Sequence, residues 1–228
     1  MAQARKSIGI GSPLASLEGS GSTLNANYTV AAGNNRVLLV AAGAVDAVVG
    51  ATVATGVTYG GVAMTLVDSQ TSAAGNQDIG ASLWILNNPL EGLNAVVVTF
   101  TGAVVGNCAI ICAFTNVDQV TQQDLAATGT SGSGATTSSL SRTTVTDQAL
   151  GVDICCTRLI QTHVEGAAPQ ALLTTSSATG GQDVTLSMST ELKAVAGATT
   201  MARTWDTSDV FTQSMLVLRP APRRTFAS

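Results

Sequence analysis

Short runs of β-branched and aromatic residues, separated by turn residues, recur along most of this chain. Gly56–Val67 is such a run with a Gly-Gly pair in its middle, and Leu83–Leu86 and Ala95–Phe100 are separated by a turn that contains Pro89. The spacing predicts antiparallel strands joined by hairpins rather than by helical crossovers.

The same pattern predicts strands over most of the chain beyond residue 23. They are Leu24–Val30, Arg36–Val45, Gly56–Tyr59, Val62–Ser69, Ile79–Asn87, Ala95–Thr101, Cys108–Asn116, Thr136–Thr146, Ala149–Leu159, Asp183–Leu192 and Gln213–Leu218. Helical periods are almost absent, and single turns are considered only over Gln119–Leu125 and Glu191–Ala198. The predicted fold is all-β, an antiparallel two-sheet sandwich of jelly-roll type with extended N- and C-terminal arms.

The chain of 228 residues suits a single β domain flanked by two tails. Residues 1–21 are rich in Gly and Ser and are predicted to form an irregular, extended N-terminal arm. The sandwich domain is assigned to residues 22–218, and residues 219–228 to a basic C-terminal tail. The low-complexity stretch Ala126–Ser139 is read either as a flexible linker or, preferably, as a loop running into an edge strand.

Charged residues are scarce. They make up 11% of the chain against 45% hydrophobic residues, whereas roughly 25% is usual for soluble domains. A weakly charged surface lacks the repulsion that keeps monomers apart. We therefore expect a homo-oligomer, a dimer or a trimer.

Half of the ten basic residues lie in the two termini, namely Arg5, Lys6, Arg219, Arg223 and Arg224. All acidic residues lie between Glu18 and Asp209, so the body is acidic. An acidic body argues against a nucleic-acid-binding groove. The basic ends are either solvated tails or assembly contacts to a neighbouring copy; the second reading predicts that removing the C-terminal tail weakens assembly and leaves the fold intact.

The N-terminus has no export signal in this reading, because no apolar stretch follows Arg5 and Lys6. The apolar run Val37–Val49 is interrupted by Asp46 and is too short to span a membrane as a helix. We expect synthesis in a cytoplasm and no membrane partner.

Cys108 and Cys112 share one predicted strand, and Cys155 and Cys156 share another. None has the spacing of a zinc or redox site. Reduced thiols in the core are expected, with a bridge between the two strands as the alternative.

Residues with catalytic chemistry are few. His163 is the only histidine, and strand alternation would place it on the same face as Glu165; a surface or loop position is the favoured reading. Asp206 and Asp209 are the best carboxylate pair, but an Asx-type turn before the last strand is the favoured reading. The chain is therefore not expected to be an enzyme, and no cofactor is expected.

Three further features are candidates for binding. Asp118 and Asp124, with the glutamines between them, offer oxygen ligands for calcium, but no acidic residue lies between them and no metal site is expected. The Gly60-Gly61 and Gly180-Gly181 pairs lack the helix and the lysine of a phosphate loop and are read as turns. Trp84 and Trp205 are possible sugar-stacking platforms, although Trp84 is favoured as a core residue.

Several segments together resemble a widespread bacterial and phage β-sandwich module. They are Tyr-Thr-Val at 28–30, Asn-Arg-Val-Leu-Leu-Val at 35–40, Val-Thr-Tyr-Gly-Gly-Val-Ala-Met-Thr at 57–65, Leu-Trp-Ile-Leu-Asn-Asn-Pro at 83–89, Val-Val-Val-Thr-Phe-Thr-Gly at 96–102, Phe-Thr-Asn-Val-Asp-Gln-Val-Thr at 114–121, and a late Trp205 before Ser-Met-Leu-Val-Leu-Arg-Pro at 214–220. The resemblance covers most of residues 24–220. It implies a module of phage structural proteins and secreted surface proteins, without a reaction attached to it.

These observations favour a structural protein of a bacteriophage virion, made in the cytoplasm of the bacterial host. Capsid decoration, cement, and head or tail accessory proteins are the classes expected. The expected partners are further copies of the chain and other virion proteins such as the major capsid protein. A surface adhesion or glycan-binding module is the alternative.

Overall fold

The chain folds entirely as β structure. The computed structural model describes residues 5–46, 53–74, 77–179 and 182–223. Within them, 75% strand and no helix are found, in two antiparallel sheets that pack together. The all-β prediction is therefore confirmed, and the single helical turns considered from the sequence are wrong.

The first half of the chain builds an eight-stranded sheet. Its strands are β1 Gly9–Ile10, β2 Leu14–Val30, β3 Val37–Asp46, β4 Ala54–Tyr59, β5 Val62–Ala63, β6 Thr65–Ala74, β7 Gln77–Asn87 and β8 Gly92–Thr115. They lie in the order β5-β4-β8-β3-β7-β6, and β1 and β2 also pair with β8.

The second half builds a six-stranded sheet. Its strands are β9 Gln123–Thr143, β10 Ala149–Thr157, β11 Val164–Glu165, β12 Ala171–Thr179, β13 Asp183–Lys193 and β14 Ala198–Leu218. They lie in the order β11-β14-β10-β13-β12, and β9 also pairs with β14.

The two sheets repeat one arrangement of strands. In the first, the central strand β3 has β8 on one side and β7 followed by β6 on the other; in the second, β10 has β14 on one side and β13 followed by β12 on the other. A long first strand pairs with a long last strand in both, β2 with β8 and β9 with β14. Just ahead of each central strand lies a non-glycine residue with positive φ, Asn35 at 53° and Gln148 at 62°. The chain thus contains an internal structural repeat, with one copy in each half.

The halves also contact each other through equivalent strands. The edge strand β6 touches β9 and β14, and its counterpart β12 touches β2 and β8; likewise β7 touches β14 and β10, whereas β13 touches β8 and β3. If each strand is replaced by its counterpart in the other half, the contacts of β6 and β7 become those of β12 and β13. The halves are therefore related by an approximate two-fold axis, as in an isologous dimer. Between the sheets lies the larger apolar core, which includes Leu39, Ile110, Ile154 and Leu186.

Each long ribbon of strands also folds back over the outer face of its own sheet. Every residue from Val37 to Val45 in β3 is buried, because alternate residues face the core between the sheets and a second core under the ribbon. The Tyr28 hydroxyl ties the two layers together: it accepts a hydrogen bond from Ala113 N at 3.0 Å and donates one to Ser12 O at 2.9 Å. In the bend of the ribbon, Gly21 has a φ of 123°, which favours glycine.

Two predictions about segments are corrected by this arrangement. Residues 14–21 are not an irregular arm but the first half of β2, paired with β8. The low-complexity stretch Ala126–Ser139 is not a linker. All of it lies in β9, paired with β14, so the predicted strand at its end is confirmed and the predicted loop before that strand is wrong. Its small residues allow close approach, since a Cβ on Gly132 would lie 2.8 Å from the Phe211 ring. The jelly-roll connectivity stays a prediction.

The four cysteines are buried thiols, as the favoured reading predicted. Cys108 and Cys112 lie in the core between the sheets together with Cys156, whereas Cys155 faces the opposite side of β10. Burial raises the pKa of Cys112 to about 12 and raises the pKa of Cys156 well above its usual range. These thiols are therefore poor nucleophiles at neutral pH.

Candidate functional site

One end of the sandwich gathers the chain termini and several loops into a single surface, which we call the loop end. It consists of residues 5–8, 31–36, 88–91, 116–122, 144–148, 194–197 and 219–223. Hydrogen bonds connect neighbouring segments: Gln119 Nε2 donates to Arg36 O at 3.2 Å, and Ser7 Oγ donates to Gln148 Oε1 at 3.1 Å. The loop end is therefore one connected surface.

The described parts of both termini are paired with each other and with the same chain. Asp118 N donates to Arg219 O at 2.8 Å, Ala221 N donates to Asn116 O at 2.7 Å, and Lys6 N donates to Ala221 O at 3.2 Å. Residues 219–223 therefore lie against the body rather than project from it as the predicted extended arm.

Asp118 organises the basic residues of the two termini. Its Oδ2 lies 3.8 Å from Arg5 Nη1 and 3.8 Å from Arg219 Nε. Its Oδ1 accepts hydrogen bonds from Val120 N at 3.0 Å and Thr121 N at 3.2 Å. One carboxylate thus links the two termini and shapes the loop after β8.

The five predicted assembly residues are distributed unevenly over this surface. Arg5 and Arg219 bind Asp118 of their own chain, which leaves each only part of its charge for an external partner. Lys6 is partly exposed and Arg223 is exposed, both at the loop end. Arg224 lies outside the described residues. Their role in assembly stays a prediction.

The proposed calcium ligands have other tasks. Asp118 is engaged as described, and Asp124 Oδ2 accepts hydrogen bonds from Val145 N at 2.7 Å and Thr146 N at 3.2 Å. In the part of the chain that the structure describes, no group of three or more metal-ligating side chains is found. The two carboxylates therefore act as anchors for two different loops.

Large apolar side chains are also exposed at the loop end. Val120 is 92% exposed, Val195 72% and Val145 68%, and Leu90 is also exposed. A groove of about 290 Å³ opens at the same end, between β1 and the end of β2, and is lined by Ile10 and Tyr28 among others. Exposed apolar side chains that cluster with cations are typical of protein-binding surfaces.

A second feature, which the sequence analysis missed, is a buried polar network under the ribbon of the second half. The side chains of Asp153 and Arg203 are both fully buried, and Arg203 Nη2 lies 2.8 Å from Asp153 Oδ1. Gln213 Nε2 donates to Asp153 Oδ2 at 2.8 Å, and Ser189 Oγ donates to Asp153 Oδ1. The carboxylate is therefore satisfied on both oxygens.

This network occupies the place of an apolar core in the first half. Asp153 pairs with Ser189 across β10 and β13, and at the equivalent position across β3 and β7 Val40 pairs with Trp84. Burial raises the pKa of the Asp153 carboxyl, and the positive charge of Arg203 opposes that shift. Because neither side chain has an exposed atom, a substrate cannot reach the pair, and its role is structural.

A sequence signal for this pair did exist. Asp153 is the only charged residue in the strand Ala149–Thr157, and its alternation with the core residues Val152 and Ile154 places it on the outer face. A carboxylate on the buried face of an apolar strand requires a cation. Arg203, in the Thr-rich start of β14, is the cation that meets this requirement, although the sequence analysis gave it no role.

His163 is a loop residue, as favoured, but it is buried rather than on the surface. Its Nε2 lies 2.8 Å from Thr157 Oγ1 and its Nδ1 2.7 Å from Ser187 Oγ. Burial, with a smaller contribution from the nearby Arg203, lowers the pKa of His163 to about 3. The imidazole is therefore neutral at physiological pH.

Asp206 and Asp209 hold the loop after β10. Asp206 Oδ2 accepts a hydrogen bond from Thr162 N at 2.8 Å, and Asp209 Oδ2 accepts one from Leu159 N at 2.7 Å. Hydrogen bonds from Thr162 lower the pKa of Asp206. The two carboxylates thus anchor backbone amides of a neighbouring loop. Both lie within β14, so the predicted turn before the last strand is wrong.

The remaining candidates have structural roles. Trp84 and Trp205 are both buried, and Trp205 Nε1 donates to Ala135 O at 2.9 Å, so neither ring offers a face for a sugar. Gly60 and Gly61 have φ values of 56° and 80° in the turn between β4 and β5. Gly180-Gly181 lies outside the described residues.

Comparisons of the chain with protein-family models, with curated proteins and with solved structures give no match. Among the described residues, no helix has the length and apolar character needed to cross a membrane.

Proposed function

We propose that this chain is a structural protein of a bacteriophage virion that acts through contacts of its loop end with other chains. The observation that supports this most directly is the arrangement of the loop end itself. Exposed valines and terminal cations lie there on one surface that hydrogen bonds connect.

The build of the rest of the molecule favours a contact function. The central strand β3 has an apolar core on each of its two faces. In the second half, the ion pair of Asp153 and Arg203 is fully buried and cannot be reached by a ligand. Such a body is a rigid spacer on which an interface can be placed. Rigid surfaces bind with little loss of conformational entropy.

Self-association is the first property to measure. Multi-angle light scattering across a concentration series should show an oligomer for the wild type, and Val120→Asp with Val195→Asp should shift it toward monomer. Leu66→Asp, at an exposed residue of strand β6 outside the loop end, is the matched control and should leave the oligomer unchanged. Folding of each variant is checked by circular dichroism.

The virion assignment has its own test. Particles purified from the bacterial culture that produces this chain should contain it in a stoichiometric amount by quantitative mass spectrometry. Its absence from such particles, together with specific binding on a glycan array, would favour the adhesion alternative instead.

A further inference from the structure

The two ends of the sandwich differ in charge. The described loop-end segments carry five basic residues, Arg5, Lys6, Arg36, Arg219 and Arg223, against three acidic ones, Glu91, Asp118 and Asp147. Arg36 is paired with Glu91, and Arg5 and Arg219 share Asp118, so this end keeps a small positive surplus. The opposite end carries the loop 158–163, and the acidic residues Asp183 and Asp206 lie beside it. The arginine in that loop, Arg158, is paired with Asp209 at 3.6 Å.

The loop 158–163 presents two apolar side chains in a fixed position. Leu159 is 38% exposed and Ile160 46% exposed. The backbone on both sides is held: Leu159 N donates to Asp209 Oδ2 at 2.7 Å and Gln161 N donates to Thr185 Oγ1 at 3.1 Å. Since exposed apolar residues gain nothing from being fixed in solvent, a rigid Leu-Ile pair is suited to insertion into a partner.

The groove at the loop end is complementary to that pair. Its volume of about 290 Å³ is enough for one or two aliphatic side chains. The residues that line it include Ile10, Tyr28 and Val30, together with the small residues Gly9, Gly11 and Ser12. An apolar knob flanked by carboxylates and an apolar groove flanked by cations thus lie at opposite ends of the same chain.

We propose that the loop 158–163 of one copy inserts into the groove at the loop end of a second copy, head to tail. This inference rests on the proposed self-association and specifies its geometry. Two loop ends facing each other would bring together like surplus charges, and so would two acidic ends; only the head-to-tail arrangement brings opposite charges together. A heterologous contact of this kind propagates into a ring or an open stack.

Cysteine cross-linking tests the geometry directly. Ile10→Cys and Ile160→Cys are prepared as separate proteins, mixed and mildly oxidised. Because the native thiols are buried, they do not compete. The mixture should give a disulfide between residue 10 of one copy and residue 160 of another, identified by peptide mass spectrometry, since a bridge requires Cα atoms within about 7 Å. Val195→Cys mixed with Ile160→Cys is the control at the same end, and it should give little product.

Each outcome is decisive. Ile160→Asp should raise the dissociation constant by at least about tenfold, because loss of a buried isoleucine removes more than one power of ten in affinity. Oligomers that persist in Ile160→Asp, or that cross-link through residue 10 alone or residue 160 alone, would overturn the head-to-tail geometry and leave self-association standing. A wild type that stays monomeric at every concentration would overturn self-association of the isolated chain, and the geometry with it.

Discussion

Removing the carboxylate of Asp153 should destabilise the protein strongly. Asp153→Ala leaves the fully buried Arg203 guanidinium without its counter-charge, and Gln213 Nε2 loses an acceptor at 2.8 Å. Breaking a buried ion pair from one side costs about 3–5 kcal/mol, a large share of the about 5–15 kcal/mol by which domains are stable. For a chain of this size, that corresponds to a melting temperature lower by about 6–20 °C.

The double variant distinguishes an ion pair from a simple packing defect. Asp153→Val with Arg203→Met puts apolar groups where the first half has Val40 and its neighbours, and such replacements are often neutral or stabilising. Gln213 and Ser189 keep other partners, since Gln213 Nε2 also donates to Met201 O and Gln170 Nε2 donates to Ser189 Oγ. The double variant should therefore recover most of the lost stability.

Urea denaturation followed by tryptophan fluorescence measures both variants, with calorimetry for the melting temperatures. The partly exposed pair of Arg36 and Glu91 provides the control, and Glu91→Gln should cost less than about 1 kcal/mol. If Asp153→Ala costs no more than Glu91→Gln, or if the double variant is no more stable than the single one, the buried pair does not have the energetic role assigned to it.

Four further outcomes are expected. Tyr28→Phe removes the hydroxyl between the two layers of the first half and should lower the free energy of unfolding by about 1–3 kcal/mol in urea titrations. Gly43→Ala places a Cβ 3.0 Å from Cys156 Sγ and should cost about 1–3 kcal/mol in the same assay. The pKa of His163, about 3 when folded against 6.5 when unfolded, makes the free energy of unfolding fall as the pH is lowered through that window, by up to about 1.4 kcal/mol per pH unit; His163→Gln should remove this part of the slope in matched titrations. Thiol reagents should find the cysteines inert in the native protein and all four reactive in denaturant, whereas rapid native reaction would contradict their burial.

The central strands were predictable because their residues satisfy one simple rule. β3 is a nearly continuous apolar run, β10 is one interrupted only by Asp153, and β7 ends at an Asn-Pro pair, so each appears in the sequence at nearly its final bounds. Strand β12 was missed, since its Thr and Ser residues carry little apolar pattern. Its place is determined by contacts with β2 and β8 of the other half, which no local pattern encodes.

The long ribbons were misread for a physical reason. Gly19, Gly21 and Gly134 gave a linker-like composition, yet they lie where a strand bends over its own sheet, and two of them have positive φ. Composition alone does not separate a flexible linker from a strand that needs small residues for bending and close packing. The internal repeat could not be recognised from the sequence either, because the two halves share a strand order and not a pattern of matching residues.

Backbone hydrogen bonds of residues 219–221 change what deletion of the C-terminal tail is expected to do. Proline and arginine content suggested a removable arm, but Pro220 and Ala221 are buried and residues 219–221 are hydrogen-bonded to residues 116–122 and residue 6. Deleting the chain from Arg219 onward would therefore remove structural contacts as well as charge. A truncation from Arg224 onward separates the two effects, because it leaves those hydrogen bonds in place.

The difference between the two halves bears on how a duplicated fold assembles correctly. Both ribbons fold over a sheet with the same strand order, so an exchange of the two ribbons would be a misassembly of this fold. Placing the start of β14 over the first sheet would bury Arg203 against Val40 and Trp84, without a carboxylate. An unpaired buried charge costs several kcal/mol, far more than an imperfect apolar contact. The ion pair therefore favours pairing of the second ribbon with the second sheet over the exchanged pairing. Buried polar groups fix register in coiled coils in the same way. On this reasoning the network contributes little net stability and much specificity, which explains why only one of the two halves carries it.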